Sequence, residues 1–173
     1  RDDPSATPEE RYELLMRRAD ACRWAADVVG LDACLAEAIA ISSALEDYER
    51  MARAAVGAAA GSLWSVRDYG IVDATMMQVL DTVLRELPAG DGELRCRAML
   101  AWANEAFYAD EPQRREALID EGLAMARRLG DPPLLLSALQ TAYVARWRSR
   151  FAEHRCELAD EAVALAEQLG DAT

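Results

Sequence analysis

Lysine is absent from this 173-residue chain; all 19 of its basic residues are arginine, a usage that reads as coding bias. A Walker A phosphate loop needs a lysine to reach the β- and γ-phosphates, so that device is excluded here. Histidine occurs once, at His154, and no C-x-x-C pair is present. A zinc-type site would need such partners at helical spacing, so no metal is expected. The four cysteines, Cys22, Cys34, Cys96 and Cys156, read as small buried apolar residues in a reducing environment, although a Cys22–Cys34 bridge between neighbouring helices is conceivable. No apolar run approaches the roughly 20 residues of a membrane span. The start, Arg1-Asp2-Asp3-Pro4, has neither an initiator Met nor a basic-then-apolar leader. The expectation is a cytoplasmic, membrane-free piece of a longer protein.

Positive charge is also scarce. Asp and Glu number 31, for a formal charge of -12. Such a surface repels a phosphate backbone, so direct nucleic-acid binding by this segment is not expected. Carboxylates suited to catalysis are equally hard to find. An all-α metal-dependent cyclase would need aspartate-rich motifs on facing helices, and the only Asp-Asp pair, Asp2-Asp3, lies in a frayed segment, residues 1–7. Asp120-Glu121 and Asp160-Glu161 recur at a fixed offset, which suits a solvated helix face better than acid–base chemistry, and Asp110-Glu111 falls with Pro112 in a turn of the chain. The chain is expected to be no enzyme, with no catalytic residues and no cofactor.

What is present is a repeat. Asp120-Glu-Gly-Leu-Ala-Met-Ala-Arg-Arg-Leu-Gly-Asp131 returns 40 residues later as Asp160-Glu-Ala-Val-Ala-Leu-Ala-Glu-Gln-Leu-Gly-Asp171. Gly90-Asp91 lies 40 residues upstream, and Glu46-Asp47 is a looser fourth occurrence. That period is the mark of stacked helix-turn-helix units, none able to bury its apolar face alone. Three- and four-residue apolar spacing predicts eight helices, and no segment alternates for long enough to be a strand. The first runs from Pro8, with Thr7 as cap, to near Gly30; the others cover about 32–45, 48–64, 71–87, 92–109, 112–129, 133–148 and 152–169. They pair as hairpins 8–46, 47–88, 91–130 and 132–170 of one domain, 8–173. The last hairpin should expose an apolar flank, through which a homodimer is expected.

The helix-loop-helix period and the Ala-x-x-x-Ala-x-x-Leu-Gly-Asp ending resemble the tetratricopeptide repeat superfamily. Leu136, Leu139 and Tyr143 stand at its first-helix signature positions, while Gln140 replaces its usual Gly and no Pro closes the unit. Glu10-Arg-Tyr-Glu-Leu-Leu15, Leu87-Pro-Ala-Gly-Asp91, Leu94-Arg-Cys-Arg97, Arg114-Arg-Glu-Ala117 and Leu158-Ala-Asp-Glu-Ala162 resemble the repeat region of large actinobacterial ATP-binding regulators of the LuxR or antibiotic-regulator type. The resemblance implies a right-handed α-solenoid of about four hairpins. It also implies a non-catalytic sensor or protein-interaction role in control of transcription, with an effector, a protein partner or the protein's own ATPase domain as ligand. A free-standing peptide-binding adaptor is the alternative.

In that superfamily the first helices line a concave face. Transferred to this chain, Arg97, Asn104 and Glu105 become groove positions, matched by Ser137, Val144 and Ala145. Arg146-Trp147-Arg148-Ser149-Arg150, with Arg155 nearby, is cationic and aromatic on an acidic protein. It could clamp a carboxylate or phosphate, or its arginines could pair with acids of the next hairpin and coat the turn. Trp24, Trp64, Trp102 and Trp147 could plug the space between hairpins or line a ligand surface. His154 reads as a surface or helix-start residue, and Gly57-Ala-Ala-Ala-Gly61 as a close-packing run.

Overall fold

A computed structural model describes residues 6–57 and 70–170. Among them are eight α-helices and no strand, in keeping with the all-α expectation. The chain divides into two compact units, Arg1–Ala60 and Gly61–Thr173.

The first unit holds α1 (Pro8–Trp24), α2 (Val28–Ala44) and α3 (Tyr48–Gly57). Thr7 opens α1 with a capping box: its hydroxyl accepts from the Glu10 amide at 3.2 Å, and the Glu10 carboxylate accepts from the Thr7 amide at 2.9 Å. Tyr12, Leu15 and Ala19 of α1 close on Cys34, Leu35 and Ala38 of α2 and Ala54 of α3. The buried Tyr12 hydroxyl donates to the Arg50 carbonyl at 2.8 Å, tying α1 to α3.

The first turn corrects the sequence reading. Helix α1 stops at Trp24, not near Gly30, because Ala26 takes the left-handed conformation (φ 55) and Asp27 caps the next helix by accepting from the Gly30 amide at 2.9 Å. Gly30 therefore lies inside the first turn of α2. A Cβ there would sit 2.2 Å from the Asp27 carboxylate oxygen and 2.9 Å from the Cys22 sulfur, so glycine lets the cap close. Glu46 (φ 53) and Asp47 repeat the device, with Asp47 accepting from the Arg50 amide at 2.9 Å. The run Ala58–Gly61 and Trp64 lie outside the described residues; Gly57 itself packs so closely that a Cβ would come within 3.1 Å of Leu35.

The second unit holds α4 (Ala74–Glu86), α5 (Glu93–Glu105), α6 (Pro112–Leu129), α7 (Pro132–Ala145) and α8 (Ala152–Leu169), with short 3-10 turns at Ala106–Tyr108 and Ser149–Phe151. The expected hairpin 47–88 thus has its first helix in one unit and its second in the other. Asp73 caps α4, accepting from the Thr75 and Met76 amides at 2.9 and 3.0 Å. Pro88 ends that helix by holding Leu87 extended (ψ 146). Helix α5 packs against α4, α6 and α7; α6 packs against α7, and α7 against α8. Two hairpins, α5–α6 and α7–α8, therefore lie side by side with their first helices in contact. Their core includes Cys96, Met99, Ile119, Leu123, Leu134, Leu139 and Leu158.

The period is visible in the backbone. Gly130 (φ 67, ψ 21) and Gly170 (φ 69, ψ 19) end α6 and α8 in nearly one geometry. Asp131 then accepts from the Leu134 amide at 3.0 Å and starts α7. Gly90-Asp91 does not belong to this set. Gly92, with no side-chain cap, precedes α5, and Asp91 instead takes two hydrogen bonds from Arg128 at 2.7 and 2.8 Å, which hold its carboxyl below the ordinary value.

Two further readings need correction. Trp102 is fully buried, donating to Asp81 of α4 at 2.9 Å under the Arg114 guanidinium of α6 at 4.1 Å, as a plug should be. Trp24 is 92% exposed because it is the last residue of α1, beyond the apolar stripe, and fills no such space. Cys22, Cys34 and Cys96 are buried free thiols, but Cys156 faces outward from α8.

Burial pushes the Tyr12 phenol from 10.0 to about 12, with Arg53 opposing the shift. A folded-state value above the unfolded one leaves stability intact below pH 10 and removes it as pH rises through about 12. Tyr12→Phe should lose that alkaline slope and about 1 kcal/mol of stability from the missing hydrogen bond. Urea unfolding of both proteins from neutral to alkaline pH checks this; parallel slopes would contradict it.

Candidate functional site

The turns after α5 and α7 meet. Arg148 crosses from the second turn and donates to the Phe107 carbonyl in the first at 2.7 Å; Arg115, in α6, donates to the same oxygen at 3.1 Å. The Phe107 ring is near both guanidinium groups, 5.5 Å from Arg115 and 5.2 Å from Arg148. Phe151 is likewise shared, 5.8 Å from Arg146 and 4.6 Å from Arg150. Arg155 lies 4.3 Å from the Tyr143 ring and 3.7 Å from the Trp147 ring, and those two rings meet edge to face at 5.5 Å. Both phenylalanines of the chain thus each hold two arginines. Aromatic faces carry the negative part of the ring quadrupole, which lets cations gather where carboxylates are few.

Arg146 is the buried centre of the cluster, 3% exposed. Its Nε donates to Glu116 at 3.0 Å and one terminal nitrogen to Asp120 at 2.6 Å, both on α6. The other terminal nitrogen lies 2.8 Å from His154 Nε2 in the first turn of α8. Arginine has donors only, so this contact requires Nε2 to accept and to carry no proton. A single side chain thereby fastens the end of α7 to α6 and α8.

Arg115 is equally buried, and donates to Glu116 at 3.1 Å while its own Nε has no hydrogen-bond partner. Burial lowers its pKa, Glu116 opposes that, and the nearby charges of Arg148 and Arg150 lower it further. Arg148 and Arg150 are exposed, and among the described residues neither has a carboxylate partner.

The structure brings Arg146, Trp147 and Arg148 together and sets Arg97 apart. Arg97 lies early on α5, pairing with Glu93 at 2.9 Å and donating to Ser137 at 3.1 Å, across a separation of 40 residues. Asn104 and Glu105 are half-buried at the other end of α5, and Glu105 accepts from the Asp73 amide at 3.4 Å. Ala145, their expected counterpart on α7, is fully buried and can line no open surface. The pairing reading holds for Arg146, except that its acids come from the preceding hairpin and not the next. Asp120, read as part of a solvated face, is exposed as expected and is one of them. His154 is a half-exposed helix-start residue, as expected. Sequence reasoning missed Arg115, Phe107 and Phe151 as members of the site. The available signal was that each Phe follows the first helix of a hairpin closely.

No family model, curated protein or solved structure matches this chain.

Arg146→Ala should cost roughly 3 kcal/mol by opening a buried void and removing one of the two guanidinium partners of Glu116, the other being Arg115. Arg148→Ala, at an exposed position, should change stability by less than about 0.5 kcal/mol. Denaturant midpoints of the two variants measure the contrast, and equal losses would remove the central role given to Arg146.

Proposed function

We propose that this chain is a tetratricopeptide-like, non-catalytic sensor and interaction domain of a multidomain bacterial regulator of transcription. Its hairpins stack as part of a right-handed solenoid. An effector, a protein partner or an ATPase module of the same protein engages it, and the output is made elsewhere in that protein. The observation that carries the reading is the lateral contact of α5 with α7, in which Arg97 touches the residue 40 positions later, Ser137. Equivalent positions of consecutive units thus neighbour one another, which is how a repeat array builds a continuous surface. A second copy seated on the half-open flank of α8, where Val163 is 59% exposed, is the proposed homodimer contact.

Occupancy would act by favouring one arrangement of the array over another, since a ligand shifts an equilibrium only by its differential affinity for the two states. The reading frame that encodes the chain offers a direct test. Flanking ATP-binding and DNA-reading segments support the regulator, whereas a short frame would replace it with a free-standing peptide adaptor. On the protein from that frame, a partner and effector screen by thermal shift should find a ligand whose stabilisation falls in Arg97→Ala. An undiminished shift would remove the groove.

A further inference from the structure

We propose that Arg148 and Arg150, backed by Arg115 and the Phe107 turn, form a binding site for a single oxyanion group, a phosphate or carboxylate. Only its reading as an effector site rests on the regulatory function proposed above; the site itself stands on its geometry.

The two exposed arginines are held in place but not neutralised. Arg148 uses one donor on the Phe107 carbonyl, and Arg150 donates to no described residue while lying 4.6 Å from the Phe151 ring. A guanidinium carries five N–H donors in a planar fork that matches the two oxygens of a carboxylate or phosphate. Most of the forks remain open. Acids are abundant on this chain, yet Glu153, at the start of α8, pairs with neither arginine among the described residues. The acids that do approach, Glu116 and Asp120, are taken by Arg115 and Arg146.

Two further features raise the local positive potential. Arg115, 1% exposed, holds a cation beneath the turn, and its pKa is lowered partly by Arg148 and Arg150, which places the three charges within mutual range. Phe151 precedes α8 without a side-chain cap, and with the Ala152 amide taken by the Ser149 carbonyl the positive end of the helix dipole begins two residues after Arg150. An anion there would relieve repulsion among three guanidinium groups and satisfy open donors. A long polyanion would meet the chain's net charge of -12, so the geometry favours one compact anionic group over nucleic acid.

The test is an NMR titration of the chain with inorganic phosphate and separately with succinate, sodium chloride holding ionic strength constant. Saturable shifts centred on Phe107, Arg115 and residues 147–151 are expected for at least one probe, and the stronger probe names the oxyanion source. The double variant Arg148→Ala/Arg150→Ala should weaken that binding at least tenfold. Arg148→Lys/Arg150→Lys, which keeps the charge and loses the fork, should fall between, and the exposed Arg17→Ala in the other unit should match the parent. Shifts that never saturate, that sodium chloride alone reproduces, or that persist in the alanine double variant overturn the site. Saturable binding that leaves partner engagement by the whole protein unchanged would remove its effector role and leave the site standing.

Discussion

One residue with positive φ, followed by an aspartate that receives the amide three positions on, ends a helix and begins the next at Ala26-Asp27, Glu46-Asp47 and Gly130-Asp131. The reversal takes almost no chain, so successive helices must lie antiparallel and in contact. A left-handed conformation costs an alanine or glutamate about 1–2 kcal/mol, and the aspartate cap returns about 1 kcal/mol of it. The remainder falls on the packing of the two helices, which supplies it only if their apolar stripes face each other. Turn chemistry and stripe phase are thereby coupled: a shift of one residue in either would leave the strained turn without its compensation.

That coupling carries through to the arginine cluster. Because α5–α6 and α7–α8 are built on one period, their turns fall at the same end of neighbouring hairpins, and Arg148 can reach Phe107 across 41 positions of sequence. The same juxtaposition places the end of α7 against the acids of α6, where Arg146 is consumed by structure. A guanidinium buried among two carboxylates and a histidine is closed off from an incoming ligand. Arg148 and Arg150, only two and four residues further on, lie past the end of the helix and escape that fate. Within one short basic run, position relative to the helix end separates a structural residue from an available one.

Helical periodicity was enough to read every element of the second unit and most of the first, since amphipathic spacing is a local property and the apolar face must be buried by something. Boundaries failed where two explanations of one glycine compete. Gly30 reads as a stop signal, whereas in the folded chain it makes room for the Asp27 cap. Gly90-Asp91 repeats the letters of Gly130-Asp131, yet Pro88 has already ended α4 and frees Asp91 to bind Arg128. The basic run itself was legible, but its partners were not. Phe107 and Arg115 join it only through the packing of two hairpins, a relation that no spacing within the run encodes. Trp24 misled for a related reason, since residue type suggested a plug and the helix ended one residue too soon.

Identical repeat positions do not share one environment. Leu123, Met125 and Ala126 of α6 are almost wholly buried between α5 and α7, whereas their counterparts on α8, Val163, Leu165 and Ala166, are exposed or half-exposed. The residue types are equivalent, so the difference comes from neighbours alone. A second helix in this array is completed by the hairpin that follows it, and its own hairpin covers only part of its stripe. Burial of a second helix is therefore a property of adjacent pairs of hairpins. A change in α7 should be felt in both α6 and α8, and Arg146, which grips both, is where that dependence is concentrated. The oxyanion site sits immediately beyond it, on the same turn, so a ligand held by Arg148 and Arg150 would load the junction between the hairpins α5–α6 and α7–α8 and not the interior of either.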